Sequence, residues 1–145
     1  MQFSIALPPQ YGYVFAVLGA SFFMNAYLVI NVARARKKYG IEYPALYAAP
    51  DHKHAFEFNS IQRAHQNTLE NYSLVMLLMC ICGLIHPVSS AVFGAVWVVG
   101  RVVYGYGYAV GGPQGRMAGG LISHVGDFPL FAMCLKIAYG MVMQA

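Results

Sequence analysis

Tyr11–Ala33 reads YGYVFAVLGASFFMNAYLVINVA, 23 residues without a charged side chain. At helical rise such a run is about 35 Å long, enough to cross a bilayer's hydrocarbon core with some tilt. The rest of the chain agrees with it. Of 145 residues, 59% are apolar and 10% charged, and mean hydropathy is +0.52. Soluble domains carry about 25% charged residues. A domain this short has more surface than 9 Lys and Arg with 5 Asp and Glu can cover. Disorder needs low hydrophobicity and high charge, so it is excluded too. The composition leaves an integral membrane protein.

Three more helices follow from the same reading. Tyr72–His86 has 15 apolar or uncharged residues, too few for a span. The stretch before it, from Phe58, is free of Pro and Gly, so one helix is expected over about 58–86, its first three turns at or above the membrane surface. Pro87 marks a short turn, Val88–Val110 gives a third span interrupted by Arg101, and Gly111-Gly112-Pro113 breaks it. Met117 to about Val142 makes the fourth, with Asp127, Pro129 and Lys136 inside it. The expected architecture is all-α: one four-helix membrane bundle over residues 1–145, with helices at about 11–35, 58–86, 88–110 and 117–142.

Arg34, Arg36, Lys37 and Lys38 cluster in the first connection, with Lys53 further along it. A basic connection beside a span is a topology signal and places that side in the cytosol. Arg116 then lies on the same side, and the His86-Pro87 turn and both termini on the other. The net charge of +4 is therefore no nucleic-acid footprint, and no nucleic-acid partner is expected. The first segment is too long and aromatic for a signal peptide and is expected to be retained. Cys80, Cys82 and Cys134 sit in apolar runs and read as packing residues without a disulfide.

Charges inside a bilayer need a reason. Arg101 is 14 residues past Pro87, about 21 Å up its helix. Glu70 is 16 residues before His86, about 24 Å up. Similar depth points to a buried Arg101–Glu70 pair, with Asp127 a rival partner, and such a pair alone reads as readily as a helix-packing device. Arg63, Asn67 and Glu70 share one face of helix two, and Arg101, Tyr104 and Tyr108 repeat that spacing on helix three. Arg36 and Arg116 are expected at the same level. Four guanidinium groups, two phenols and an amide suit a small polyanion, because the planar guanidinium grips carboxylates in bidentate fashion. Singly, Arg36 and Arg63 read better as lipid-headgroup contacts, a reading that explains Arg101 with Tyr104 and Tyr108 poorly. His65 points away from this face and reads as a packing or subunit-contact residue. His124 and Asp127, three apart, suggest a proton relay without partners on other helices. His52 and His54 lack metal-ligand spacing, so no metal is expected. Gly105, Gly107, Gly111 and Gly112 follow no strand and precede no Lys-Ser/Thr, so they form no phosphate loop.

Three stretches carry a resemblance: ARARKKYGIEYPALYA (Ala33–Ala48), FNSIQRAHQNTLENY (Phe58–Tyr72) and GRVVYGYGYAVGGPQGR (Gly100–Arg116). Together they resemble the MAPEG family, the membrane-associated proteins of eicosanoid and glutathione metabolism, and within it the type-three microsomal glutathione transferases. The likeness runs from about Tyr11 and fades over the last 25 residues. It implies a four-helix subunit in a homotrimer, in the endoplasmic reticulum or outer mitochondrial membrane, with glutathione bound between subunits near the cytosolic face. By motif, Arg36, Lys37, Arg63, His65, Asn67, Glu70, Arg101, Tyr104 and Tyr108 match glutathione-binding positions, so the resemblance moves His65 into the pocket. Arg116 matches the thiol-activating arginine, although Gly115 stands where the type-three pattern has a basic residue. Asp127 matches nothing in the pattern.

The implied activity is conjugation of glutathione to lipophilic electrophiles or reduction of lipid hydroperoxides, with glutathione as co-substrate and no tightly bound cofactor. Membrane lipid and a lipophilic electrophile or hydroperoxide are the other expected partners. Two rivals stay open. One is a non-enzymatic lipid-binding scaffold of the same family, such as the five-lipoxygenase-activating protein. The other is a small proton or ion transporter using His124, Asp127 and Arg101.

Overall fold

The uncharged run that opens the chain forms a helix that continues through the basic cluster. In the computed structural model, which describes residues 7–144, a short 3-10 turn at Pro9–Tyr11 leads into α1 (Gly12–Tyr39). Arg36, Lys37 and Lys38 occupy its last turn, where cations face the negative end of the helix dipole. Gly40 stops it with φ 68°, and its N–H bonds the Arg36 carbonyl. That left-handed conformation suits glycine. The basic cluster therefore sits on α1 and not in the loop expected for it.

Three further helices complete the described chain: α2 (Ala55–Gly83), α3 (Pro87–Gly115) and α4 (Met117–Met143). Helix α2 begins and ends three residues earlier than expected, since Ala55, Phe56 and Glu57 extend it and Pro87 already starts α3 at a position proline favours. The Gly111-Gly112-Pro113 step does break α3, at Gly112 with φ 58° and ψ −148°. A last helical turn then carries the chain to Arg116, which caps α3 and opens α4. The fourth helix matches its expected bounds within a residue. The chain ends themselves, Met1 and Ala145, lie outside the described residues.

Helices α1, α3 and α4 are each long and apolar enough to cross a membrane. Helix α2 has matching length but a polar first half, and it lies against all three neighbours. Trp97, Met79, Leu130 and Val14 are fully buried in the common core. Helices α3 and α4 share the most extensive packing, and glycine permits it. A Cβ on Gly126 would stand 2.6 Å from the Phe93 carbonyl oxygen, and one on Gly119 would overlap the Tyr104 backbone. The outward side chains of α4, among them Leu121, Val125, Phe128 and Phe131, are exposed and apolar. That is the surface a bilayer-embedded bundle presents. The molecule is an all-α integral membrane four-helix bundle.

Candidate functional site

Periodicity on α2 and α3 builds a continuous polar strip across the bundle's upper half. Arg101 is almost fully buried, 3% exposed, at the midpoint of α3. Its Nη1 donates to Asn67 Oδ1 at 2.9 Å, and its guanidinium lies over the rings of Trp97 and Tyr104 at 5.2 and 5.1 Å. Its Nε has no partner. A buried cation held by one amide and two aromatic faces keeps capacity for an anion.

The expected Arg101–Glu70 pair is not formed. Glu70 is taken by Arg63, seven residues earlier on the same helix, through Nη1–Oε1 at 2.9 Å and Nη2–Oε2 at 3.5 Å. Asn67 stands between the two cations, donating to Glu70 at 3.3 Å while accepting from Arg101. Asp127, the rival partner, pairs with His124 at 3.2 Å. Above Asn67 and Arg101, Tyr104 and Tyr108 meet edge to face at 5.6 Å, both buried. The Arg116 guanidinium lies 5.5 Å above the Tyr108 ring. Arg63, Asn67, Glu70, Arg101, Tyr104, Tyr108 and Arg116 thus form one connected surface.

Two concavities open along it. One, about 330 Å³, is walled by Asn67 and Asn71 of α2, Arg101 and Tyr104 of α3, Arg116, and His124 with Leu121 of α4. The other, about 530 Å³, lies nearer the connection between α1 and α2, where Arg63 and Tyr108 face Tyr47, Phe56 and Asn59. Both volumes suit a small-molecule site.

Arg36, Lys37 and His65 lie elsewhere. Arg36 is buried between the rings of Tyr43 and Phe58, and its guanidinium donates to the carbonyls of Ile41 at 3.4 Å and Leu46 at 3.5 Å. It pins the connection, and Asn59 fastens the same segment through both backbone groups of Ala48. Lys37 is exposed beside Arg36 in a shallow groove with Glu42 and Tyr43. His65 faces α1, its Nε2 lying 3.3 Å from Asn25 Oδ1. With Gln62 and Arg36 it lines a concavity of about 240 Å³ on that side. His65 and Asn67, two residues apart, point to opposite sides of α2. Within one chain the ten residues therefore form two separate surfaces.

Two cavity residues were not singled out as ligands from the sequence. Asn71 is four residues after Asn67, so the helical period could have found it. His124 lines the same cavity as Asn67, Arg101, Tyr104 and Arg116, while the side chains it touches, Asp127 and Phe128, are on its own helix. No cluster of metal-ligating side chains occurs among the described residues.

Comparison with known proteins agrees with this architecture. An uncharacterized protein, sll1147, of Synechocystis sp. is 38% identical over 82 residues, 56% of each chain. Microsomal glutathione S-transferase 2 of Homo sapiens is 30% identical over 86 residues, 59% of this chain and 54% of the relative. The Bos taurus protein of the same name is 31% identical over 86 residues, 59% of this chain and 55% of the relative. The matched stretch spans little more than half the length of these curated relatives. The named transferases are of type 2, and the likeness to the third type rests on the motifs alone. The MAPEG family pattern itself matches residues 14–136, from the first span through the last, and the chain belongs to the MAPEG family.

Proposed function

We propose that this protein is a membrane glutathione transferase with peroxidase activity, which ionises glutathione to the thiolate and directs it at a lipophilic electrophile or lipid hydroperoxide. The observation that carries the reading is Arg101, buried to 3% exposure, with Asn67, Tyr104 and Arg116 around one cavity. A bilayer protein does not bury a cation beside other cations for packing alone. Glutathione has two carboxylates, one amine and a thiol. Arg101 and Arg63 answer the carboxylates, Glu70 the amine, and Asn67 and the two tyrosines the peptide amides.

The thiol requires activation. An ordinary thiol has a pKa of about 8.5, so only a few per cent is thiolate at neutral pH. Each unit of lowering takes about 1.4 kcal/mol of preference for the anion. One guanidinium contact in a partly dehydrated cavity supplies about 1.5–3 kcal/mol. Arg116, at the cavity rim, takes that role. The proposed assembly is a homotrimer in the endoplasmic reticulum or outer mitochondrial membrane, with the Arg116 end facing the cytosol. The two separate surfaces favour it. Arg36 and His65 of one subunit complete the pocket formed by Arg63, Asn67 and Arg101 of its neighbour.

The test is to give purified protein glutathione with a lipid hydroperoxide and, separately, an allylic epoxide, and to follow thiolate absorbance on adding glutathione alone. The expected result is product in both reactions and a thiolate band. Arg116→Ala should abolish the band and cut turnover far more than glutathione affinity. Equal loss of both, or of neither, removes Arg116 from the chemistry. A thiolate band without product from either acceptor would favour the lipid-binding scaffold.

A further inference from the structure

One wall of the cavity carries a histidine, backed by an aspartate, that binding glutathione does not require. His124 lines it, and His124 Nδ1 lies 3.2 and 3.3 Å from the two carboxylate oxygens of Asp127, three residues on. The imidazole also stacks on Phe128, with ring centroids 4.8 Å apart and planes 9° from parallel. Carboxylate and stacked ring together fix both the plane of the imidazole and its tautomer. Nδ1 carries the proton toward Asp127, which leaves Nε2 as the nitrogen that exchanges protons.

Position gives the pair its meaning. Asp127 is ten residues into α4, about 15 Å from its start, in one of the apolar spans. A carboxylate at such depth is expensive and marks a functional site with its partner. His124 is eight residues beyond Arg116, about 12 Å further along the helix axis. Arg116 and His124 thus line one cavity with Leu121, Arg101 and Tyr104, and the His124 side chain, 53% exposed, stands on its outer, lipid-facing wall. A thiolate held by Arg116 attacks a lipid acceptor that lies along the exposed apolar wall at Leu121. The acceptor's departing oxygen then falls at the His124 end.

Building on the glutathione reading above, we propose that His124, oriented by Asp127, is the proton donor to the oxygen that leaves when the thiolate attacks an epoxide or a hydroperoxide. The steps balance. The thiol proton passes to solvent as Arg116 holds the thiolate, and Nε2 carries a proton drawn from the same solvent. With an epoxide, the sulfur electron pair forms the S–C bond, the C–O bond breaks, and the alkoxide takes the Nε2 proton. With a hydroperoxide, sulfur bonds the terminal oxygen, the O–O bond breaks, and the alkoxide takes that proton to give the alcohol. The resulting glutathione sulfenic acid condenses with a second glutathione to disulfide and water. The groups facing the imidazole are Arg101 and Tyr104 from α3, Asn67 and Asn71 from α2, and Arg116 and Asp127 on its own chain segment. Among the described residues, the Tyr104 phenol is the other group on the cavity wall with a mobile proton, its ring lying under the Arg101 guanidinium.

The leaving group supplies the test. Chloride departs from 1-chloro-2,4-dinitrobenzene without needing a proton, whereas an alkoxide needs one. Wild type, His124→Gln, Asp127→Asn and Asp127→Glu are assayed in lipid vesicles with glutathione and three acceptors: that aryl chloride, a lipid hydroperoxide and an allylic epoxide. His124→Gln should lose about 100-fold or more of its turnover on the two oxygen acceptors, and at least tenfold less than that on the aryl chloride. Asp127→Asn should show the same selectivity at smaller size, and Asp127→Glu should recover it. Equal losses on all three acceptors in a variant that still gives the glutathione thiolate band overturn the proposal and leave the glutathione site standing. A variant that has lost the band is replaced by Asp127→Asn for the same comparison. A wild-type protein inactive on every acceptor overturns both readings.

Discussion

At the scale of single residues the site turns on which neighbour takes each charge. Among the described residues, Asn67 provides the one side-chain hydrogen bond that holds Arg101. In Asn67→Leu the guanidinium keeps its aromatic contacts but loses a charge-assisted bond worth about 1.5–3 kcal/mol. The expected outcome is a lower thermal midpoint in detergent, together with weaker glutathione binding by titration calorimetry. The faces bearing Asn67 and Arg101 are legible in the sequence, because spacings of three, four and seven are a property of the helix. The pairing of Glu70 is not. Counting residues from a helix end gives depth in the membrane and says nothing of rotation about the axis. Depth alone matches Glu70 to Arg101, yet Arg63 on the same face reaches it at 2.9 Å. Arg36 shows the same limit. Its position at the end of α1 is evident, but the carbonyls of Ile41 and Leu46 that claim it come from a connection without periodicity.

At the scale of helices, number and type follow from the apolar runs, and the ends are set by chemistry those runs do not contain. The basic cluster looks like a loop because it is charged, yet Arg, Lys and Ala are good helix formers and Gly40 is the first residue that stops them. Gly111-Gly112-Pro113 looks like a terminus, and its φ reversal at Gly112 is real. Proline after it is tolerated because an N–H in a first helical turn has no intrahelical acceptor to lose. The tight approach of α3 and α4 rests on glycines from both sides: a Cβ on Gly100 would overlap Ser123 of α4, whereas Gly105 faces Leu28 of α1. Gly119 touches the Tyr104 backbone, so a side chain there must push α4 outward and carry Arg116 away from Tyr108. Gly119→Leu should still insert into membranes but lose most glutathione turnover, an effect that co-purification with membranes and an activity assay separate. Gly140, with nothing within 4 Å of an added Cβ, is the control: Gly140→Leu should leave activity within about twofold, as surface changes usually do.

At the scale of the whole molecule, the nominated residues fall on two sides of one subunit. Arg63, Asn67, Arg101 and Arg116 share one surface, and Arg36 and His65 another. A closed ring of identical subunits brings such unlike surfaces together at every interface. Two impaired variants should then repair each other. His65→Glu puts a like charge against the ligand's carboxylates, and Arg116→Ala removes the thiol contact. Co-expressed in equal amounts, they should regain activity at about a quarter of the sites, the share expected for random mixing in a ring of heterologous interfaces. Mixing the two after separate purification should restore nothing unless subunits exchange. Membership of the family and the membrane bundle were legible in the sequence before any coordinates, since both rest on composition and motif. The division of the site was not, because it depends on which way His65 turns. The exposed apolar wall of α4, finally, decides how the protein meets its surroundings. Leu121 borders both the cavity and the bulk apolar surface, so a lipophilic reactant dissolved in the bilayer meets the cavity sideways. For such a reactant the operative dose is its mole fraction among the lipids, and adding inert lipid at constant total reactant dilutes it as surely as adding water dilutes a solute.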